Sequence, residues 1–163
     1  MKDREELEEK LIDLLAEIDF DKRYYEFYQS MVESEDSDTS LTRADFEATL
    51  VQTTLDFNYH KKENFFQHKQ SHPNADMALH IAFPYRSMAE FILTVNTAAG
   101  PIGGPFPQLA RQVGLRRDPD FSPSPRSPKL PFADEYELEK VIKFGIDLFE
   151  HAKTSILSYD GWR

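Results

Sequence analysis

The stretch from residue 97 to residue 132 most limits the secondary structure that this chain can form. Prolines and glycines interrupt the hydrophobic periodicity of the sequence there. The sequence TAAGPIGGPFPQLARQVG (97–114) packs three glycines and three prolines into its middle, and RRDPDFSPSPRSPKLPF (116–132) holds five more prolines. Proline fixes φ and lacks a backbone N–H, so it interrupts helices and central strands alike. We therefore predict an irregular segment over residues 100–132, in which 116–132 is a Pro-rich connector.

The glycine pair Gly103 and Gly104 raises a second interpretation, because it stands just ahead of a helix-like run. Backbone N–H groups that converge at a helix N-terminus bind phosphate, and Arg111 would add positive charge. However, three prolines in the same loop each lack the N–H that such a site uses. We therefore favour a rigid connector, with the two glycines in a surface turn and Gly114 ending a short helix.

The N-terminal residues have the spacing of an amphipathic helix. Apolar side chains recur every three or four residues, which predicts a helix over residues 3–18. The stripe consists of Leu7, Leu11, Leu14 and Ile18, widened by Ile12 and Leu15. The sequence DFDKR (19–23) bends or interrupts the element, and the period then resumes as far as Val32.

A second helical segment is predicted to begin after Thr42. Thr42 and Asp45 have the spacing of a capping box, in which side chains satisfy free N–H groups at a helix start. No glycine or proline follows until Pro73, so we favour a helix through this segment. Apolar residues also alternate between positions 55 and 59, which keeps a strand over residues 50–60 as the alternative.

Residues 77–99 combine an extended pattern with a helix-start pattern. Alternating apolar residues followed by a proline allow one short β segment near 78–83. Ser87 and Glu90 then form a capping box ahead of a strongly apolar run. This predicts a buried helix of about three turns that ends near Gly100.

The C-terminal part of the chain completes the predicted fold. Asp134 and Glu137 form another capping box, and the apolar residues after them predict a long last helix. We therefore predict a mainly α fold, in which residues 1–163 form a single-domain helical bundle. It has long N- and C-terminal helices, the irregular Pro/Gly-rich segment and at most one short strand.

Composition excludes several classes of site and location. The 163-residue chain contains no cysteine, which rules out disulfides, thiolate metal ligands and a cysteine nucleophile. Its first residues are charged, and no run reaches the roughly 18 apolar residues that a membrane span needs. We expect a cytoplasmic protein that makes no membrane contact.

Acidic charge is concentrated near the N-terminus. Residues 1–38 hold 14 Asp or Glu and 5 Lys or Arg, a net charge of −9, whereas the whole chain has a net charge of −10. The sequence ESEDSDTS (33–40) reads as an acidic loop. Such a field repels nucleic acid and attracts basic groups, so we predict a basic protein partner and no nucleic-acid binding.

Aromatic rings lie among these acids. In RYYEFYQ (23–29) the rings are distributed around the helix rather than along one stripe, which predicts that at least one is exposed. Rings interleaved with carboxylates suit the capture of basic groups through ion pairs and cation–π contacts. The predicted partner-binding residues are Glu5, Glu6, Glu8, Glu9, Tyr24, Tyr25, Tyr28, Glu35 and Asp36. A concrete form of this hypothesis is an inhibitor, immunity protein or antitoxin that covers the basic active site of a nuclease.

Motifs for metal binding and catalysis are weak. His68 and His72 have the spacing by which two imidazoles on a helix share a metal, but neither Glu-x-x-His nor His-Glu-x-x-His occurs. No Gly-x-Ser-x-Gly motif is present either. We predict no metal and no cofactor, and favour binding over catalysis.

Two alternatives stay open. One is a small-molecule- or phosphate-binding enzyme with a site between the helical bundle and residues 97–132. Its candidate ligand-binding residues are His60, His68, His80, Arg86 and Arg111. The other is a subunit that forms a homodimer through the apolar stripe of its first helix.

Overall fold

The computed structural model describes residues 2–32 and 41–163, which contain five helices and six strands. The helices are α1 (Arg4–Glu17), α2 (Phe20–Val32), α3 (Arg43–Val51), α4 (Phe106–Arg117) and α5 (Glu135–Leu157). The strands are β1 (Asn58–His60), β2 (Phe65–Ser71), β3 (Asp76–Ala82), β4 (Met88–Thr97), β5 (Gly100–Pro105) and β6 (Leu130–Pro131). The predicted mainly α bundle is therefore wrong, because an antiparallel sheet combines with the helices in an α/β fold.

The sheet is an antiparallel meander with strand order β1-β2-β3-β4-β5, and β6 pairs with the start of β4. Ile81 of β3 lies opposite Phe66 of β2 and Phe91 of β4. Val95 of β4 lies opposite Ile102 of β5. Because side chains alternate along a strand, this register places these apolar residues on one face of the sheet, which we call the core face. The other face is called the open face.

A strand replaces the helix predicted to begin at Ser87. Along β4, buried residues alternate with half-buried ones, which is the period of a strand that has one face against the core. The buried residues are Ala89, Phe91, Leu93 and Val95. Ser87 caps no helix, since its hydroxyl donates to the carbonyl of Tyr85 at 3.3 Å. Pairing with β3 and β5 supplies the backbone hydrogen bonds that a helix would have made internally.

The segment after Thr42 starts as predicted and then departs from the prediction. The carboxylate of Asp45 accepts from the Thr42 N–H at 2.7 Å, and α3 follows. The helix ends at Val51, so a helix through this whole segment is wrong, and the strand alternative is confirmed for residues 58–60. The short β segment near 78–83 is confirmed as part of β3.

The Pro/Gly-rich segment is more regular than predicted. Residues 100–117 form β5 and α4 in direct succession, so the prediction of an irregular segment is wrong there. Gly103 lies within β5 rather than in a surface turn. Pro107 does lie in the first turn of α4, where its missing N–H removes no intrahelical bond. The irregular stretch is shorter, residues 118–129, and is called the strap.

Helices cover the core face. The Phe106 ring of α4 lies 5.4 Å from the Phe91 ring, and Phe20 of α2 meets Phe106 edge to face at 5.2 Å. The Ser155 hydroxyl of α5 donates to the Leu14 carbonyl of α1 at 3.0 Å. The predicted N- and C-terminal helices are confirmed as α1 and α5, and the Asp134 carboxylate caps α5 by accepting from the Glu137 N–H at 2.8 Å.

Within the two described ranges, no helix is long and apolar enough to cross a membrane.

Candidate functional site

The exposed side of α1 carries four of the predicted partner-binding acids. These are Glu5, Glu6, Glu8 and Glu9, all exposed, while the apolar stripe of the same helix is buried in the core. Glu8 pairs with Arg4 at 2.9 Å, and the other three make no ion pair with any described residue. Glu35 and Asp36 lie outside the described residues. Because the apolar stripe is occupied within the chain, it is not free for the predicted homodimer contact.

Arginines of α4 neutralise the acids at the α1–α2 junction. Arg116 Nη1 lies 2.5 Å from Asp13 Oδ1. Arg117 Nη2 donates to Asp19 Oδ1 at 2.8 Å and to the Ala16 carbonyl at 2.6 Å. Glu17 at the C-terminal end of α1 accepts from the Ser155 hydroxyl at 3.5 Å. The acids of α1 without an ion pair among the described residues are therefore Glu17 and, in the N-terminal half, Glu5, Glu6 and Glu9.

The three predicted tyrosines have different environments. Tyr24 is fully buried, and its hydroxyl donates to the Pro128 carbonyl of the strap at 2.5 Å. Burial, together with Tyr25, Glu90 and Tyr28, raises the pKa of Tyr24, so the hydroxyl stays a neutral donor. Tyr24 thus anchors the strap from inside the molecule, whereas Tyr25 and Tyr28 are half-buried and reach the surface.

Tyr25 and Tyr28 line a groove between α2 and the strap. The groove has a volume of about 330 Å³. It is lined by Asp21, Lys22, Tyr25, Glu26, Tyr28, Gln29, Phe121, Pro123, Ser124 and Pro125. The Tyr25 and Phe121 rings meet edge to face with their centroids 5.5 Å apart. We call this feature the α2–strap groove.

Asp21 places a buried carboxylate in this groove. The residue is 6% exposed, and its Oδ2 lies 3.3 Å from Arg117 Nε. Its second oxygen, Oδ1, is buried and has no hydrogen-bond partner. A buried acceptor without a donor raises the free energy of the folded chain, so this oxygen has unused capacity to accept a hydrogen bond.

Contacts with α2 and α4 fix the wall of the groove formed by the strap. The Tyr25 hydroxyl donates to the Arg126 carbonyl at 3.3 Å. The Phe121 ring lies directly against Gly114, where an added Cβ would overlap the ring. Gly114 was expected to end a helix, but it lies inside α4 and its missing side chain makes room for Phe121. The groove is therefore built by the fold rather than by a free loop.

The structure does not bring the five alternative ligand-binding residues together. His60 and His80 lie on the open face of the sheet, whereas His68 lies on the core face. Arg86 is exposed in the turn between β3 and β4, with φ +58. Arg111 is half-buried on α4 near Tyr25, where its charge opposes the rise that burial causes in the pKa of Tyr25. A single small-molecule or phosphate site built from these residues has no geometric support.

The two open-face histidines sandwich an aromatic ring. The Phe65 ring stacks on His60 at 4.7 Å and on His80 at 4.8 Å, measured between ring centroids. Gln67 Nε2 donates to His80 Nε2 at 2.7 Å. With Phe65 between them, the two imidazoles cannot share one metal ion. Among the described residues, no group of three His, Asp or Glu side chains is placed to hold a metal.

The helical spacing of His68 and His72 is not realised, because His68 lies in β2 and His72 follows it. His68 Nδ1 donates to the Asp56 carbonyl at 2.8 Å. The side chain of Gln70 bridges the two residues, donating to His68 Nε2 at 2.9 Å and accepting from His72 Nε2 at 2.8 Å. These hydrogen bonds give both histidines a structural role in the sheet.

Sequence reasoning missed Asp21 and Phe121 as members of a site. An acid at the start of a helix has an ordinary explanation in the helix dipole, and a ring in a Pro-rich stretch has no periodic partner. Their contact across the groove depends on how the strap crosses α2.

Comparison of the chain with protein-family models, with curated proteins and with solved structures finds no match.

Proposed function

We propose that this chain is a cytoplasmic protein-interaction module that binds a basic partner protein. The binding surface consists of the unpaired acids of α1 and the α2–strap groove. The observation that carries the proposal is Asp21, which lines a groove walled by aromatic rings and whose buried Oδ1 has no hydrogen-bond partner. Such a groove recognises a cationic side chain better than a neutral one.

The charge distribution supports a basic protein rather than a nucleic acid as the partner. The chain has a net charge of −10, and Glu5, Glu6 and Glu9 at the start of α1 have no ion-pair partner among the described residues. This field repels phosphate backbones and accelerates encounter with a positive surface. One concrete form is an inhibitor, immunity protein or antitoxin that covers the basic active site of a nuclease.

Capture followed by titration tests the proposal. Immobilised wild-type protein is compared with the variant Glu5→Lys/Glu6→Lys/Glu9→Lys. A matched control, Glu63→Lys/Glu139→Lys/Asp160→Lys, makes the same change in net charge at exposed positions outside α1. Basic proteins that are retained at about 50 mM salt and released at about 500 mM are identified, purified and titrated by calorimetry.

The purified partner is expected to bind wild type and control with similar affinity, and the α1 variant about tenfold or more weakly. Retention of no basic protein would contradict the proposal. Equal weakening by the α1 variant and the control would also contradict it, because the effect would then follow net charge and not the surface of α1.

A further inference from the structure

We propose that the α2–strap groove holds the guanidinium group of one arginine side chain of the partner. The inference rests on the proposed function only for the source of that arginine. The groove residues themselves determine which cation it accepts.

Aromatic rings form the walls of the groove. Tyr25, Tyr28 and Phe121 are half-buried and line it together with Pro123 and Pro125. A cation within about 6 Å of a ring centroid is attracted by the ring quadrupole, and the attraction grows as water is excluded. The planar guanidinium group also stacks on aromatic faces, which a tetrahedral ammonium group does not do.

The buried carboxylate supplies the charge that the rings lack. Asp21 Oδ1 has no hydrogen-bond partner, whereas Oδ2 is held 3.3 Å from Arg117 Nε. Because Oδ1 is buried, an arginine donor reaches it only when the side chains that cover it move aside. The donor would then satisfy this acceptor and form a charge-assisted hydrogen bond. Arg117 keeps its bonds to Asp19 and to the Ala16 carbonyl, so it stays partnered when Asp21 accepts a second cation.

The size and the polar lining of the groove favour arginine over other cations. A volume of about 330 Å³ is at the lower end of ligand sites, which suits one side chain rather than a large metabolite. Arginine has five donors and is less strongly hydrated than lysine, so it loses less on entering a partly dry groove. With one donor used by the carboxylate, its remaining donors are left for the polar atoms of the rim.

Four charges besides Asp21 affect a bound cation, and Arg117, whose Nε lies 3.3 Å from Asp21 Oδ2, repels it at close range. Glu26 on the rim attracts it, whereas Lys22 on the rim repels it, and both are exposed. Arg111 lies on α4 close enough to Tyr25 to influence its pKa. Removing the charge of Lys22 should therefore strengthen binding, a result that simple loss of structure cannot produce.

The direct test uses three pentapeptides, acetyl-Gly-Ser-X-Ser-Gly-amide, in which X is arginine, lysine or citrulline. Ring signals of Tyr25, Tyr28 and Phe121 are followed by ¹³C-resolved NMR during titration. The arginine peptide is expected to shift these signals and to bind about tenfold more tightly than the lysine peptide. Citrulline, which has the same shape without the charge, is expected to leave them unchanged. Equal effects of arginine and citrulline, or no shift with arginine, would overturn the inference.

Variants locate the binding within the groove. Asp21→Asn should weaken the arginine peptide about tenfold or more, Lys22→Met should strengthen it about threefold, and the remote control Glu139→Gln should leave it unchanged. Thermal unfolding checks that each variant is folded. If Asp21→Asn does not fold, Tyr28→Leu provides the second test, because it removes one ring from a half-buried wall. Unchanged affinity in a folded Asp21→Asn or Tyr28→Leu variant would overturn the inference.

The outcomes separate this inference from the proposed function. A peptide that binds while no basic protein is captured supports the arginine site and contradicts the proposed function. A purified basic partner whose affinity falls on reversal of the α1 charges, but not with Asp21→Asn, supports the function and overturns the arginine site.

Discussion

Gly103 occupies a position in β5 that no other residue can fill without strain. Its φ is +122, and an added Cβ would overlap the backbone carbonyl of Leu93 in β4. Gly100 also has a positive φ, +97, but the nearest atom to its added Cβ is Arg4 Nη1 at 3.7 Å. A substitution at Gly100 therefore introduces backbone strain alone. A substitution at Gly103 introduces strain together with steric overlap with β4.

We expect Gly103→Ala to lower the free energy of unfolding by about 3 kcal/mol, because it combines left-handed strain with displacement of β4. Gly100→Ala should cost about 1 kcal/mol, since only the strain applies. Urea denaturation followed by circular dichroism measures both values. Equal losses in the two variants would show that the contact with Leu93 is not decisive.

His80 makes the stability of the sheet depend on pH. Burial, followed by the neighbouring His60 and Lys69, lowers the pKa of His80 below its ordinary value of 6.5. Near pH 6 the unfolded chain therefore binds more protons at this position than the folded chain does. The contribution of neutral His80 to the free energy of unfolding is complete above pH 6.5. It is lost as the pH falls through the lowered pKa of His80. We expect wild type to lose stability between pH 7.5 and pH 5.5.

His80→Gln should reduce this loss, because Gln cannot titrate. The measurement is the urea midpoint of both proteins at the two pH values. Asp76, whose pKa is lowered from 3.8 chiefly by its hydrogen bonds from Ser71 and Arg163, titrates below this window and does not confuse the comparison. An identical pH dependence in both proteins would refute the assignment to His80.

The docking of α5 on the sheet depends on one close contact. Gly145 lies in the buried middle of α5, and an added Cβ would overlap the Phe91 ring of β4. Glycine costs helix stability, so its presence here is explained by the space that the ring requires. The contact between α5 and β4, and not helix propensity, therefore explains why residue 145 is a glycine.

We expect Gly145→Ala to destabilise the fold by about 2 kcal/mol, although alanine is the better helix former. Phe91→Leu, which shortens the side chain, should make the same glycine substitution much less costly. A double-mutant cycle from urea denaturation measures this coupling. Additive effects of the two substitutions would contradict the proposed contact.

The accuracy of the sequence-based interpretation differs between helices and strands for physical reasons. Strong period-3.6 patterns and caps predicted α1, the start of α3 and α5. In β4, Ala89, Phe91, Leu93 and Val95 alternate with Glu90, Ile92 and Thr94, so the sequence carries the pattern of a strand. The Ser87–Glu90 spacing favours a helix there only because it also fits a capping box. In β2 the core face includes His68 and Gln70, whose polar side chains conceal the alternation, so its strand depends on pairing with β1 and β3.

The last residues of the chain are held against the end of α5 and the sheet. Trp162 is fully buried, and its Nε1 donates to the Ile156 carbonyl at 2.9 Å. Its own carbonyl accepts from the Ala98 N–H in the turn between β4 and β5 at 2.8 Å. Arg163 makes its contacts at the surface, with the His72 and Pro73 carbonyls and with Asp76.

We expect Trp162→Ala to cost about 3–5 kcal/mol, because it empties a large volume in the core. Arg163→Ala should cost less than about 1 kcal/mol, since exposed ion pairs contribute little. Thermal and urea unfolding of the two variants give the comparison. A small effect of Trp162→Ala would mean that the C-terminal residues are not part of the cooperative core.

The candidate site was predictable in its charge but not in its shape. The acidity of residues 1–38 is visible in the sequence, as is the placement of Tyr25 and Tyr28 among the acids. The sequence could not show that Arg116 and Arg117 neutralise the junction of α1 and α2, since these contacts span about 100 residues. The groove depends on the same long-range arrangement, because Phe121 of the strap contacts Tyr25 of α2 across the intervening sheet and α4 sequence.

The prolines of β5 also affect how this protein behaves at high concentration. β5 forms one edge of the main sheet, and Pro101, Gly103 and Pro105 occupy alternate positions along it. Alternate N–H groups point toward the same edge, and proline is tolerated in a sheet where its missing N–H would face away from the neighbouring strand. Two of these three outward positions therefore offer no donor to an incoming strand. Fibre growth by addition of strands at this edge is disfavoured, so the chain can be concentrated without ordered aggregation along β5.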